Sequence, residues 1–144
     1  MRILFAGVAA AALLVAGIAH ADAISDRQAL MKKNGGAAGV LAKTVKGEMA
    51  FDEAAVLAAL KTINDDMKQF RELFPAGSET GDTAASPKIW ENMDDFKAKI
   101  AKMISDTDAA IAAPPKDKDA LGPVLGTIGG NCGGCHETYR LQKS

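Results

Sequence analysis

Residues 121–140, Leu-Gly-Pro-Val-Leu-Gly-Thr-Ile-Gly-Gly-Asn-Cys-Gly-Gly-Cys-His-Glu-Thr-Tyr-Arg, decide how the chain is read. Leu121, Val124 or Leu125, Ile128, Cys132, Cys135 and Tyr139 recur every three or four residues, the period of a helix with one apolar face. The pattern predicts a helix from near Asp119 to about Lys143, with Pro123 in its first turn, where a missing N–H leaves no intrahelical partner wanting.

Within it stands Cys132-Gly133-Gly134-Cys135-His136. C-x-x-C-H is the attachment pattern for a c-type haem. Residues three and four apart share a helix face, so both thiols can form thioethers with one macrocycle while the histidine from the same turn reaches its iron. The two glycines are expected to leave room for a flat group against the backbone. A disulfide between Cys132 and Cys135 would close a very small loop and add little stability. A thioredoxin-like pair needs a neighbouring strand–helix unit, and no stretch here alternates as a strand does. A zinc site usually takes four Cys or His ligands, and apart from His20 the chain has only these three.

Three further helices are predicted outward from this one. Ile24 to Lys46 carries Ile24, Met31, Ala38, Leu41 and Val45 on one face, is weakened by Asn34-Gly35-Gly36 in its middle, and ends at Gly47. Asp52 to Phe74 has Asp52 as N-cap, a stripe of Val56, Leu60, Ile63, Met67 and Phe70, and Pro75 as its stop. After a polar loop over 76–85, Ser86-Pro87 reads as a cap followed by a first-turn proline. It opens a helix with Ile89, Met93, Phe96, Ile100, Met103 or Ile104, and Ile111, ending at Pro114-Pro115. Phe70, Trp90 and Phe96 are read as core. The fold class expected is all-α, an antiparallel four-helix bundle with covalent haem on the C-terminal helix.

The other end of the chain bears on location. Met1-Arg2, an apolar run from Ile3 to Ile18 and Ala19-His20-Ala21 form a signal-peptide pattern with cleavage expected before Asp22. The run is short for a spanning helix. Removing 21 of the 144 residues leaves 123, one domain over 22–144. The leader takes Arg2 and no acid, so 16 basic residues remain against 18 acidic ones, a net charge of −2. No basic stripe suggests nucleic acid, and no membrane contact is expected after processing.

Ligand arithmetic then constrains the iron. His20 leaves with the leader, so the side opposite His136 is left to a methionine, a weaker ligand or none. Met31, Met49, Met67, Met93 and Met103 survive processing, and most methionines on a helix stripe are core filler. A bound thioether raises the reduction potential and suits an electron carrier; an open position admits small gases. Peroxidase-like catalysis is not expected, since no distal histidine exists to move a proton.

Cys132-Gly-Gly-Cys135-His136-Glu137-Thr138-Tyr139-Arg140, Ser86-Pro87-Lys88-Ile89-Trp90 and Leu73-Phe74-Pro75 together resemble the class II cytochromes c, the cytochrome c-prime family and its low-spin relatives. The resemblance spans the chain beyond the leader. It implies a four-helix bundle with one covalent haem c, iron held by His136, and a role as a periplasmic one-electron carrier, not an enzyme. Arg27-Gln28-Ala29-Leu30-Met31 matches the family segment that faces the distal side, and Leu30-Met31-Lys32-Lys33-Asn34-Gly35 looks more like the low-spin group, which implies Met31 as sixth ligand. It also implies haem-edge contacts from Arg27 and Gln28, where a guanidinium can pair with a propionate, and from Ser78 and Glu79, where the family often has Thr-Glu. Arg140 is placed near the imidazole. Redox proteins are the expected partners. The alternative is a five-coordinate protein binding nitric oxide or carbon monoxide, and pairing through the first two helices into a homodimer is a family habit.

Overall fold

A computed structural model describes residues 9–142. Its elements are α1 (Ala9–Lys46), α2 (Glu53–Phe70), α3 (Lys88–Glu91), α4 (Met93–Ala112) and α5 (Lys118–Tyr139). The expected leader begins outside these residues. Among those described, no helix is long and apolar enough to cross a membrane.

The four long helices form the expected antiparallel bundle. α1 meets α2, α2 meets α4, α4 meets α5 and α5 returns to α1, so each touches its two neighbours and none its diagonal. Asp52 caps α2 as its sequence demands, its carboxylate accepting from the Ala55 N–H at 2.8 Å. Gly47, at φ +77°, ends α1 in the left-handed conformation that glycine adopts without steric cost. The core stripe is the predicted one: Leu41, Val56, Leu60, Ile63, Phe96, Ile100, Leu121 and Ile128 are all buried.

Several boundaries differ from expectation. α1 runs unbroken through Asn34-Gly35-Gly36; an added Cβ at either glycine would meet nothing within 4 Å, so neither marks a close helix contact. α2 ends at Phe70, four residues early. Leaving the helix lets Phe74 turn inward, its ring 5.0 Å from that of Phe70 and 4.7 Å from that of Phe96 in edge-on contacts. The third helix is interrupted at Asn92 (φ −134°, ψ 47°), leaving α3 as one turn ahead of α4. Asn92 closes α3 with its own side chain, Nδ2 donating to the Lys88 carbonyl at 3.3 Å. α5 starts earlier than read, because Asp117 is the cap and accepts from the Ala120 N–H at 2.7 Å. Pro123 therefore lies inside α5, beyond the first turn, and costs the Asp119 carbonyl its helical donor.

α5 also ends earlier, at Tyr139. The chain there leaves the helix to pair with the 84–86 segment: the Ser86 N–H donates to the Tyr139 carbonyl at 2.9 Å and the Leu141 N–H to the Ala84 carbonyl at 2.8 Å. The Tyr139 ring is buried edge-on against Phe96 at 5.2 Å. Its hydroxyl reaches out to donate to Asp95 Oδ2 at 2.5 Å, and that bond, helped by burial, pushes the phenol up to about 12. Asn64 provides a polar tie between α2 and α4, its Nδ2 lying 2.9 Å from Thr107 Oγ1 and 2.9 Å from Asp108 Oδ1.

Two outcomes follow for stability. Leu60, fully buried between helices, is expected to cost about 2–5 kcal/mol when cut to alanine, whereas exposed Met49→Ala stays within about 0.5 kcal/mol; urea unfolding of the holoprotein measures both. Tyr139 keeps its proton in the folded chain above the ordinary phenol value of about 10. Its contribution is therefore complete below about pH 10 and lost as pH rises toward about 12. Tyr139→Phe should flatten that loss when urea midpoints are compared between about pH 9 and about pH 11.5.

Candidate functional site

The bundle holds a partly open cavity of about 760 Å³, within the about 300–1,000 Å³ range of sites that bury a sizeable organic ligand. Helical spacing decides which side chains reach it. On α5, Cys132, Cys135, His136 and Tyr139 line it, three, four and seven residues along one face. On α1, Arg27, Gln28, Met31, Asn34 and Ala38 do so at the same period. Ile63, Met67, Phe70 and Phe74 supply apolar wall after α1, and Ile89, Phe96, Ile100 and Met103 supply it before α5. Gly133 and Gly134 lie round the helix from the cysteines and are not part of the lining.

The reactive groups are suited to binding rather than to thiol redox chemistry. Cys132 and Cys135 are free thiols, half-buried. Burial pushes both above the ordinary thiol value, most strongly opposed at Cys135 by the charge of Lys99. A redox-active cysteine pair would instead hold a lowered thiol. His136 is held below the ordinary imidazole value by burial and by Arg140, which favours the neutral ring that can ligate a metal.

Arg27 is the main electrostatic feature. It is 4% exposed, and Nη2 donates to the Ser78 carbonyl at 2.8 Å while Nη1 lies 3.4 Å from Ser78 Oγ. Its guanidinium sits 4.8 Å from the Phe74 ring centre and 5.7 Å from that of Trp90. Nε is buried without a partner, and burial lowers the guanidinium below its ordinary value. An anionic group in the cavity would satisfy that donor and that charge.

Sequence reasoning placed Gln28 at the cavity, and Gln28 lines it, with Nε2 donating to the Asp82 carbonyl at 2.8 Å. Ser78 and Glu79 do not line it. Ser78, fully buried, stands behind Arg27 and donates to the Pro75 carbonyl at 2.8 Å. The loop is held against α1 by shape as well: Gly81, at φ +116°, leaves only 3.2 Å between an added Cβ and Ile24 Cδ1. Asn34, Lys99 and Asn131 also line the cavity and escaped the sequence reading. Asn34 was legible as the residue three beyond Met31, and Asn131 as the residue four before Cys135. Lys99 carried no comparable signal.

A pocket walled by apolar and aromatic groups, with two thiols and an imidazole on one helix face, a thioether on another helix and a buried cation lacking a partner, fits an acidic, flat macrocycle with a central metal. Comparison with known proteins agrees. A family model described as Cytochrome C' matches residues 22–140. Cytochrome c-556 of Agrobacterium fabrum is 50% identical over 90% of this chain and 89% of its own. Cytochrome c' of Rhodopseudomonas palustris is 40% identical over the whole of both chains. A solved structure of cytochrome c' from the same organism superposes with a TM-score of 0.81 at 43% identity, covering 85% of this chain and 98% of that one. The cavity chemistry, the helix order and these likenesses agree: this chain belongs to the Cytochrome C' family of class II cytochromes and carries covalent haem c with its iron.

Proposed function

We propose that this cytochrome is an exported one-electron carrier, working in the periplasm after loss of residues 1–21, with His136 as proximal and Met31 as distal ligand of the iron. The observation that carries the reading is that one cavity collects Cys132, Cys135 and His136 from α5 and Met31 from α1. The bound iron supplies the redox chemistry, cycling between ferric and ferrous. Cys132 and Cys135, half-buried on one face of α5, would hold the macrocycle through two thioethers. His136 presents a neutral imidazole. Met31, half-buried, offers a soft sulfur that stabilises the reduced metal and raises the potential. Arg27, held by Ser78, would offer Nε to an acidic substituent of the macrocycle, with Gln28 one residue on also lining the cavity. The polypeptide needs no proton donor for such a role, and among the described residues Asp82 is the one acid that lines the cavity.

Two measurements test this. Replacing both cysteines, Cys132→Ser with Cys135→Ser, should leave a denatured chain without haem colour, whereas the native sequence keeps its haem on a denaturing gel. Met31→Ala should remove the sulfur-to-iron band at the red edge of the ferric spectrum, convert the iron to high spin, and lower the potential by on the order of 0.1 V, within the about 0.8 V that axial ligands span. A wild-type spectrum that is already high spin in both oxidation states, and unchanged by Met31→Ala, would overturn the carrier reading in favour of a five-coordinate gas-binding protein.

A further inference from the structure

Three methionines line the cavity: Met31 on α1, Met67 on α2 and Met103 on α4. Any of the three carries a sulfur soft enough for iron, so burial and residue type alone do not select among them. Their surroundings do. The Met67 sulfur accepts from Asn34 Nδ2 at 3.3 Å. The Met103 sulfur has Asn131 Nδ2 at 4.0 Å, a looser contact, while that same amide donates to Asp106 Oδ2 at 2.6 Å. Among the described residues, no donor engages the sulfur of Met31. Each asparagine is a neighbour of the attachment machinery: Asn34 follows Met31 by three residues on the same helix face, and Asn131 precedes Cys132.

We infer that Asn34 is a positioning residue that selects the distal ligand, holding the Met67 thioether to its amide so that Met31 is the cavity methionine free to reach iron. The inference rests on the proposed role of Met31 and supplies its reason. A thioether is a weak acceptor, and the restraint here is reinforced by position. Met67 is 7% exposed and has three rotatable bonds that would otherwise let its sulfur swing within the cavity. Asn34 is itself fixed in a polar corner. Its neighbour Lys33 donates to the fully buried Asp66 at 2.7 Å, joining α1 to α2 one residue before Met67. Its Oδ1 is buried without a partner, so turning the amide away from Met67 would leave a donor unsatisfied beside an acceptor already so. The Asn131 contact adds a lesser restraint on Met103.

The test uses the mature holoprotein, labelled at methionine methyl groups with carbon-13, in the ferrous state. A ligated methionine is identified by the large upfield shift of its methyl signal under the macrocycle. Wild type should show one such methyl, lost in Met31→Ala with no replacement, because Asn34 still holds Met67. Met31→Ala combined with Asn34→Leu should regain an upfield methyl and a low-spin spectrum, and adding Met67→Leu should abolish both. Asn34→Ala, which opens space where leucine fills it, takes the place of Asn34→Leu if the latter does not fold. A Met67 methyl ligated in Met31→Ala alone, or no ligated methyl in the double variant, overturns the inference. If wild type shows no ligated methyl, the Met31 reading fails by itself; the double variant still decides whether Asn34 restrains Met67, since only a released Met67 restores the signal there.

Discussion

The whole molecule depends on a core that the polypeptide does not fill. Protein interiors are packed like organic crystals, yet this bundle keeps a cavity of about 760 Å³ among helices whose apolar stripes are otherwise closed by Leu41, Val56, Leu60, Leu121 and Ile128. A haem bound there would be a structural member as much as a cofactor, since Phe70, Phe74, Phe96 and Ile100 all line the space it would fill. Covalent attachment through Cys132 and Cys135 suits that role, because a core component tethered to α5 cannot exchange with solvent when the bundle breathes.

The polar parts of the site are arranged around the same constraint. A buried arginine is expensive unless its charge and donors are met. Arg27 meets part of that cost inside the protein, through Ser78 and the faces of Phe74 and Trp90. It leaves Nε for the cavity. The loop that carries Ser78 is thereby ordered by α1, and Gly81 lets it pass close to Ile24. One side chain thus ties the loop to α1 and brings a positive charge to the cavity.

Much of this was legible in the residues because the signals were local. Asp52 beside an apolar stripe gives a helix start, Gly47 gives a stop, and Cys-x-x-Cys-His on a helix gives its own geometry. What was not legible came from contacts between distant segments. α2 stops at Phe70 and α5 at Tyr139 because Phe74 and the 84–86 segment offer better partners than another helical turn. At Asn92 the side-chain amide joins the backbone N–H on the Lys88 carbonyl, at 3.3 and 3.0 Å, a double hold that closes α3 and that asparagine offers without announcing it. The cap of α5 is Asp117, which puts Pro123 further inside the helix than a start near Asp119 would. In the site, Met31, Arg27 and Gln28 line the cavity as the helical period requires. Ser78 lies one layer behind, since a loop residue has no period from which to read its direction. Asn34 was overlooked for a different reason: amides beside glycines look like helix weakness, and only the sulfur across the groove gives this one a purpose.

The pairing of Tyr139 and Leu141 with the 84–86 segment has a consequence for how the site is completed. α1 and α5 are the first and last helices, and both wall the cavity, so the enclosure exists only once the two ends of the chain have met. Closing so wide a loop carries an entropic cost that rises only slowly with its span. A polypeptide lacking either of these helices would therefore present a bare trough in place of a pocket.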